Sequence, residues 1–418
     1  MADNCHEVDR RTVLKQFGVA GATITGLSGA SRARASNRPQ TLSKGLAKQA
    51  VAQKKQQITQ RSEFSDWTDA SVGNAETFYS RTQSTPVPKY EKAAYVFPIT
   101  TADETLGYIT ASATKSNGPI LEYSRGTPPH YKVDDAKEVA NKNARTPTGR
   151  FLYRGGVSYG YELEGRDAVH LAGRYVEKVP KAAPTTALNF DSATSESRWG
   201  HLTSESSTDV VQSDDSASTS SLPSTVFLES VPGYNNNYSA GDDVSGGDRN
   251  SDFVGNADDP WKDYDGCAPF SGAIVVGYYE GIDNTASWST KNTLIDKMHL
   301  NMNTGDNVYT NTDDIAPGIE AYSDGDHSYS ANTETNFSEY DVKKALNNFK
   351  PSMLTMWDGG SPEEDGYQQY GNHTVVVAGY EERSDGLYWG IYDTYDNNPH
   401  WLANGNWYDA DTTFVSRI

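Results

Sequence analysis

The chain has 418 residues, a formal net charge of −20 and a hydrophobic fraction of 36%. This length is enough for about two to three domains of ~150 residues each. The charge is uneven, because residues 1–62 carry a net charge of +8 and the remainder carries −28. An acidic body repels phosphate groups, which argues against nucleic acid as a partner. The excess of Asp fits either a halophilic host or an ordinary acidic secreted protein.

Residues 1–35 have the features of an export signal. The motif Asp-Arg-Arg-Thr-Val-Leu-Lys contains the paired Arg10 and Arg11, and it resembles the twin-arginine consensus closely. The mildly apolar run at residues 17–30 is too short to span a bilayer, and a small-x-small cleavage site lies at residues 33–35. We therefore predict export by the twin-arginine translocation machinery, a secreted product and no membrane span in the mature chain. A basic disordered tail is the alternative.

Residues 36–180 are predicted to form an N-terminal helix followed by a small α+β domain. A polar helix is indicated over residues 42–59, and a short helix over residues 136–144. Short apolar or alternating runs, separated by turn residues, indicate strands at residues 90–98, 106–113, 120–123 and 149–163. This pattern predicts an antiparallel domain of its own.

Residues 181–225 are rich in Ser, Thr and Asp and are predicted to be a linker or processing loop. A second domain then covers residues 226–418. Its helix signals are a helix that begins near Cys267, a helix capped by Thr312 and a capping box at Ser338. Strands are predicted at residues 351–357, 373–380, 387–394 and 412–417. Helices that precede strands favour a segregated α+β fold.

Cys267 is one of only two cysteines, and the other, Cys5, lies in the segment predicted to be cleaved. Cys267 stands at the start of a predicted helix, with Pro269 inside the first turn. A helix N-terminus carries partial positive charge and unpaired N–H groups, which favour a thiolate. A single mature thiol in this place indicates a nucleophile. A buried, inert cysteine is the alternative.

His373 and Asp393 complete a possible catalytic set. His373 opens an apolar strand, and Asp393 ends the next strand, so a hairpin would place them side by side. An imidazole can accept the thiol proton and return it to the leaving amine, while a carboxylate fixes the imidazole tautomer. The alternatives are a structural histidine at a strand end and a turn residue. Asp396 and Asn397 compete with Asp393 for the orienting role.

These residues resemble the motifs of papain-like cysteine peptidases. The closer resemblance is to the branch that includes bacteriocin leader (double-glycine) peptidases, and it covers about residues 226–418. The resemblance rests on three features: the Gly-Cys-Ala-Pro turn before a small-residue helix, the apolar strand led by His373, and Asp393 on the next strand. The resemblance implies a papain-like α+β fold, with the cysteine helix packed on an antiparallel sheet. It also implies a Cys267–His373–Asp393 triad and makes the N-terminal domain similar to a propeptide, with the Ser/Asp-rich linker as the cut region.

One feature of that family is missing, because residues 259–266 contain no Gln to stabilise the oxyanion. The backbone N–H of Cys267, the indole N–H of Trp261 and the ammonium group of Lys262 are the candidate donors. The leading hypothesis is an exported cysteine peptidase that cleaves peptide bonds and is made as a zymogen. Two alternatives stay open: a non-catalytic surface or interaction domain that keeps the fold, and a related cysteine amidase or acyl transferase.

Neither a metal site nor a cofactor is predicted. The mature chain has one thiol, and its histidines show no shared spacing, which argues against zinc. The Asp-rich stretches at residues 306–314 and 324–326 do not match the EF-hand loop and are predicted to be solvated acidic loops.

Overall fold

The computed structural model describes residues 41–83, 88–165, 167–172, 176–178, 188, 190–203, 222–234, 266–304, 310–322, 327–357 and 372–418. These ranges belong to one compact unit, Pro39–Ile418. Arg10, Arg11, Trp261 and Lys262 lie outside them, so the export signal and two oxyanion candidates stay predictions. None of the helices in the described ranges is long and apolar enough to cross a membrane.

The N-terminal half begins with α1 (Lys44–Ile58), which confirms the helix predicted over residues 42–59. Ser43 caps this helix, because its Oγ accepts a hydrogen bond from the Leu46 N–H at 3.2 Å. The other helices of this half are two short 3-10 helices (Ser62–Trp67 and Pro129–Lys132), α2 (Val133–Lys142) and α3 (Ser192–Thr203). The strands are β1 (Ser71–Val72), β2 (Glu76–Gln83), β3 (Lys89–Thr100), β4 (Thr105–Ser112), β5 (Ile120–Ser124), β6 (Pro147–Tyr153), β7 (Tyr159–Leu163), β8 (Asp167–His170) and β9 (Val176–Lys178).

The C-terminal half confirms the capping box, because Ser338 Oγ accepts the Asp341 N–H at 3.3 Å. Its helices are α4 (Cys267–Glu280), α5 (Trp288–Asn301), α6 (Thr312–Ala321) and α7 (Glu339–Asn347). Its strands are β10 (Thr225–Phe227), β11 (Tyr329–Glu334), β12 (Ser352–Trp357), β13 (His373–Arg383), β14 (Gly386–Tyr392), β15 (His400–Ala403) and β16 (Asp409–Arg417). The four predicted strands of this half are all present, with ends that differ by a few residues.

The described strands join one mixed sheet in the order β11-β16-β12-β13-β14-β15-β5-β4-β3-β2-β6-β7-β8-β9. β1 pairs with β3 and β10 pairs with β13, and the β2–β6 pair is parallel whereas the others are antiparallel. Helix α4 packs against β12 and β13, and its Phe270 and Ile274 are buried in the core. This α+β arrangement is compatible with a papain-like peptidase fold.

Two local predictions are corrected. Residues 149–163 form two strands, because a turn that contains the positive-φ residues Gly155 and Gly156 separates β6 from β7. Asn311, rather than Thr312, caps α6, since its side chain accepts the Asp313 N–H at 3.4 Å.

Helix α3 lies within the segment predicted to be a linker. Its Trp199 and Leu202 are buried in one hydrophobic cluster with residues of α1, and the Trp199 indole donates to the Asn117 carbonyl at 3.0 Å. Two apolar side chains therefore pack part of this segment against α1, although its overall Ser-rich composition is typical of a linker.

The two halves share a continuous sheet and a buried charged cluster. β5 pairs with β15, so the sheet crosses between the predicted domains. The fully buried Lys54 of α1 has its Nζ 3.1 Å from the Asp385 carboxylate and 3.9 Å from Glu381. The same Nζ lies 3.6 Å from the ring centroid of Tyr388, and Arg61 pairs with Glu381 at 3.0 Å. The division into two domains stays a prediction.

Candidate active site

Cys267 is the first residue of α4, as predicted, and it is 9% exposed. Gly266 precedes it with φ of 95°, a backbone conformation that favours glycine. The Cys267 Sγ accepts a hydrogen bond from the Thr374 N–H at 3.4 Å, and the Ser271 hydroxyl donates to the Thr374 carbonyl at 3.0 Å. These contacts fix the first turn of α4 against the start of β13, where His373 immediately precedes Thr374.

The hydrogen bonds of His373 define its tautomer. The His373 Nε2 lies 2.7 Å from the main-chain carbonyl oxygen of Asp393. A carbonyl oxygen only accepts, so Nε2 carries the proton and Nδ1 of the neutral ring is the nitrogen that can accept. The Tyr395 hydroxyl lies 3.4 Å from that Nδ1, and the two rings stack with centroids 4.7 Å apart. These contacts fix the orientation of the ring, and Nδ1 is its basic nitrogen.

Asp393 lies next to His373, as the predicted β13–β14 hairpin requires, but its carboxylate faces elsewhere. Its Oδ1 accepts the N–H groups of Tyr395 at 2.9 Å and Asp396 at 3.2 Å. Its Oδ2 lies 3.4 Å from the Nε2 of His400. The contact of Asp393 with His373 is therefore made by its carbonyl group.

Burial sets the charge of the cysteine and the histidine. It raises the pKa of the Cys267 thiol, although hydrogen bonds from Thr374 lower it in part. Burial also lowers the pKa of His373 to about 4. At neutral pH the two groups are a thiol and a neutral imidazole. The helix N-terminus was expected to favour a thiolate, and in this structure desolvation outweighs that effect.

The raised pKa of Cys267 gives a testable pH dependence for alkylation by iodoacetamide. A thiol whose folded-state pKa is raised has less thiolate at neutral pH, so labelling at pH 7 should be slower than for the same cysteine in urea-unfolded protein. The rate should climb steadily above the ordinary thiol pKa. Peptide mapping by mass spectrometry separates this adduct from that of Cys5. Fast labelling that stays flat between about pH 5 and 8 would instead indicate a thiolate–imidazolium pair.

Several residues at this site were missed in the sequence. Tyr395 lies between His373 and His170, whose ring centroid is 4.6 Å from that of Tyr395. His400 lies beside the carboxylates of Asp393 and Asp396, and its Nδ1 lies 2.7 Å from Glu122 of the N-terminal half. Asp393 and Asp396 lie close to His400 in the sequence, whereas Glu122 is 278 positions from His400, so no local pattern pointed to Glu122.

Trp389, Trp401 and Trp407 are buried, at 0%, 0% and 3% exposure, so they pack within the protein rather than line an open groove.

The arrangement is that of a cysteine-peptidase-like site: a cysteine at a helix start beside a strand that begins with histidine, on an α+β scaffold. Residues 249–413 match the family model described as "Peptidase_C39 like family", which confirms the resemblance to the bacteriocin leader peptidase branch. The match suggests cysteine-type peptidase activity and therefore a peptide substrate. A search of the curated proteins finds no match to the chain.

Proposed function

We propose that this protein is an exported cysteine peptidase in which Cys267 is the nucleophile and His373 is the general base. One observation carries the proposal: in a region that matches a peptidase family, Cys267 Sγ is hydrogen-bonded to the residue that follows His373. Export is supported by the Arg10–Arg11 motif of the sequence.

The proposed reaction begins from the uncharged pair. His373 Nδ1 takes the thiol proton as Sγ forms a bond to the scissile carbonyl carbon. The C–N bond then breaks, and the same proton passes to the leaving amine. Nδ1 then takes a proton from water as the water oxygen bonds to the thioester carbon; the C–S bond breaks, the acid is released and Nδ1 returns the proton to Sγ. The Asp393 carbonyl accepts from Nε2–H throughout, so the tautomer is kept and the imidazolium is stabilised while it exists.

The oxyanion formed in each step requires hydrogen-bond donors. The Cys267 N–H at the start of α4 is one candidate, and Trp261 or Lys262 is the second by sequence position. Removal of one such donor typically costs about 2.7–4 kcal/mol of transition-state stabilisation. Trp261→Phe and Lys262→Met therefore distinguish the two side chains, because only the true donor should lower kcat by about 10²-fold or more.

A direct assay tests the function. Purified protein is incubated with fluorescein-labelled casein and with short fluorogenic peptides, with and without prior alkylation of Cys267. The proposal requires hydrolysis that alkylation removes. Absence of hydrolysis of every peptide, together with release of ammonia or acyl transfer from amide substrates, would favour the amidase or acyl-transferase alternative.

A non-catalytic interaction domain is the second candidate, and a specific observation favours it. Cys267 is 9% exposed and the carboxylate of Asp393 does not contact His373, so the described site lacks a thiolate and a carboxylate-oriented histidine. Under this alternative, alkylation and substitution of Cys267 leave the binding of any partner unchanged and no turnover is detected.

We also propose that the zymogen form, if cut in the predicted processing loop, stays assembled. The β5–β15 pairing and the Lys54–Asp385 ion pair join the two halves. Separation of the halves would expose a sheet edge and leave buried charges without their partners. A site-specific protease sequence placed within residues 213–221 allows a controlled cut. After cutting, both fragments should elute together in native gel filtration and separate only in urea. An N-terminal fragment that elutes alone without denaturant would show a dissociable propeptide.

A further inference from the structure

Three side chains that could ligate a metal ion lie together at the turn after β14, and two of them, Asp393 and His400, are buried. The Nε2 of His400 is 3.4 Å from Oδ2 of Asp393 and 3.4 Å from Oδ1 of Asp396. His400 is 3% exposed, and its Nε2 makes no directional hydrogen bond. A buried ring nitrogen without such a bond is costly, and here it is aimed between two carboxylates.

We propose that Asp393, Asp396 and His400 bind a divalent transition-metal cation, for which zinc is the best fit. One oxygen from each carboxylate and the Nε2 lie within 4.8 Å of one another. Zinc binds imidazole nitrogen and carboxylate oxygen at about 2.0–2.2 Å, so tetrahedral ligands are separated by ~3.4 Å. Both distances from Nε2 have this value. A water molecule would take the fourth position, because the side chain of Asp396 is 21% exposed.

The surroundings of His400 support a metal ligand. Its Nδ1 lies 2.7 Å from Oε1 of the buried Glu122, which accepts the Nδ1 proton and leaves Nε2 as the donor atom for a cation. Glu122 is itself held by the Tyr108 hydroxyl at 2.6 Å and by the Tyr159 hydroxyl. A carboxylate behind the imidazole is the usual second partner of a metal-bound histidine.

The carboxylates are also oriented for this role. Asp393 Oδ1 is occupied by two main-chain N–H groups, which leaves Oδ2 directed toward His400. Asp396 Oδ1 accepts the Asn398 N–H at 2.7 Å and retains a further lone pair. A nitrogen ligand argues against Ca²⁺ and Mg²⁺, which select oxygen ligands.

A cation here would tie the turn at residues 393–400 to β5 through Glu122, because His400 links both. The same turn presents the Asp393 carbonyl to His373. The proposed ion is therefore structural: it positions the residue that orients the candidate base. The inference does not depend on peptidase activity. No local pattern indicated zinc, since Asp393 was predicted to end a strand and the histidine spacing is irregular.

Isothermal titration calorimetry and thermal unfolding test the site. The full-length protein, without a tag, is treated with EDTA, dialysed and titrated with ZnCl₂. We expect one zinc per chain and a higher Tm with zinc present. Asp396→Asn keeps the shape and the acceptor for Asn398, and it should weaken zinc binding at least tenfold. Glu122→Gln should weaken it by about 10–100-fold. Asp283→Asn, an exposed carboxylate elsewhere, is the matched control and should bind as the wild type does.

Cys267→Ala separates this site from the catalytic cysteine, because it should retain one zinc per chain whether or not the protein is a peptidase. The absence of stoichiometric binding to folded wild-type protein would overturn the proposal. Equal binding by the wild type and a folded Asp396→Asn variant would do so as well. Both results would favour an imidazolium of His400 that bridges the two carboxylates without a metal.

Discussion

Replacement of Cys267 by Ala is expected to reduce kcat/KM for peptide hydrolysis by about 10⁴-fold or more, because a thioester requires a thiol and Cys267 supplies the one thiol of the described residues. His373→Ala should have a comparable effect, since the thiol of the uncharged pair then has no base. Hydrolysis of a fluorogenic peptide measures both losses. Cys5→Ala and His327→Ala are the matched controls and should retain wild-type rates. Retention of more than about a tenth of the activity in Cys267→Ala would exclude a cysteine mechanism.

The role of Asp393 can be tested separately from the roles of Cys267 and His373. If its carboxylate oriented the base, Asp393→Asn would cost about 10⁴-fold in kcat, as in serine proteases. The structure instead has the main-chain carbonyl of Asp393 accept from His373 Nε2, and this carbonyl survives the substitution. We therefore expect a loss far below that of His373→Ala, and any loss should act through the turn that the carboxylate supports. A loss equal to that of His373→Ala would restore the carboxylate to the orienting role.

Replacement of Lys54 by Met is expected to lower the free energy of unfolding by about 3–5 kcal/mol. Lys54 is fully buried, and its Nζ lies 3.1 Å from Asp385 and over the ring of Tyr388. Removal of the ammonium group leaves the Asp385 carboxylate buried without its cation, whereas Glu381 still has Arg61 and Arg383. Urea unfolding followed by circular dichroism measures the change.

Lys137→Met provides the matched control for this substitution. Lys137 pairs with Asp134 at 2.9 Å on the surface of α2, where an exposed ion pair contributes little to stability. A second replacement, Asp385→Asn in the Lys54→Met background, should recover part of the lost stability because it removes the unpaired charge. A loss in Lys54→Met no larger than that in Lys137→Met would show that the two halves are not held together by this cluster.

Local sequence patterns predicted the elements that carry the candidate site. The Gly-Cys-Ala-Pro turn and the apolar strand led by His373 are where the patterns place them, and the next strand ends one residue before Asp393 rather than at Thr394. Each of these signals depends on neighbouring residues only. The capping box at Ser338 was predictable for the same reason.

Features that depend on distant residues were not predictable. Glu122 and His400 are 278 positions apart, and Lys54 and Asp385 are 331 apart, so no local pattern links them. Helix position suggested a thiolate at Cys267, but the extent of burial that raises its pKa depends on the packing of the whole sheet. The direction of the Asp393 carboxylate likewise follows from the turn geometry at Tyr395 and Asp396, which residue types alone do not specify.

Covalent trapping tests whether Cys267 is a nucleophile activated by His373. The full-length protein is incubated with a peptidyl epoxide while residual hydrolysis is followed, and the modified residue is mapped by mass spectrometry. We expect one adduct per chain, on Cys267, that forms in proportion to the loss of hydrolysis and forms much more slowly in His373→Ala. Hydrolysis that persists after Cys267 is fully modified, or inactivation through an adduct on another residue, would contradict it.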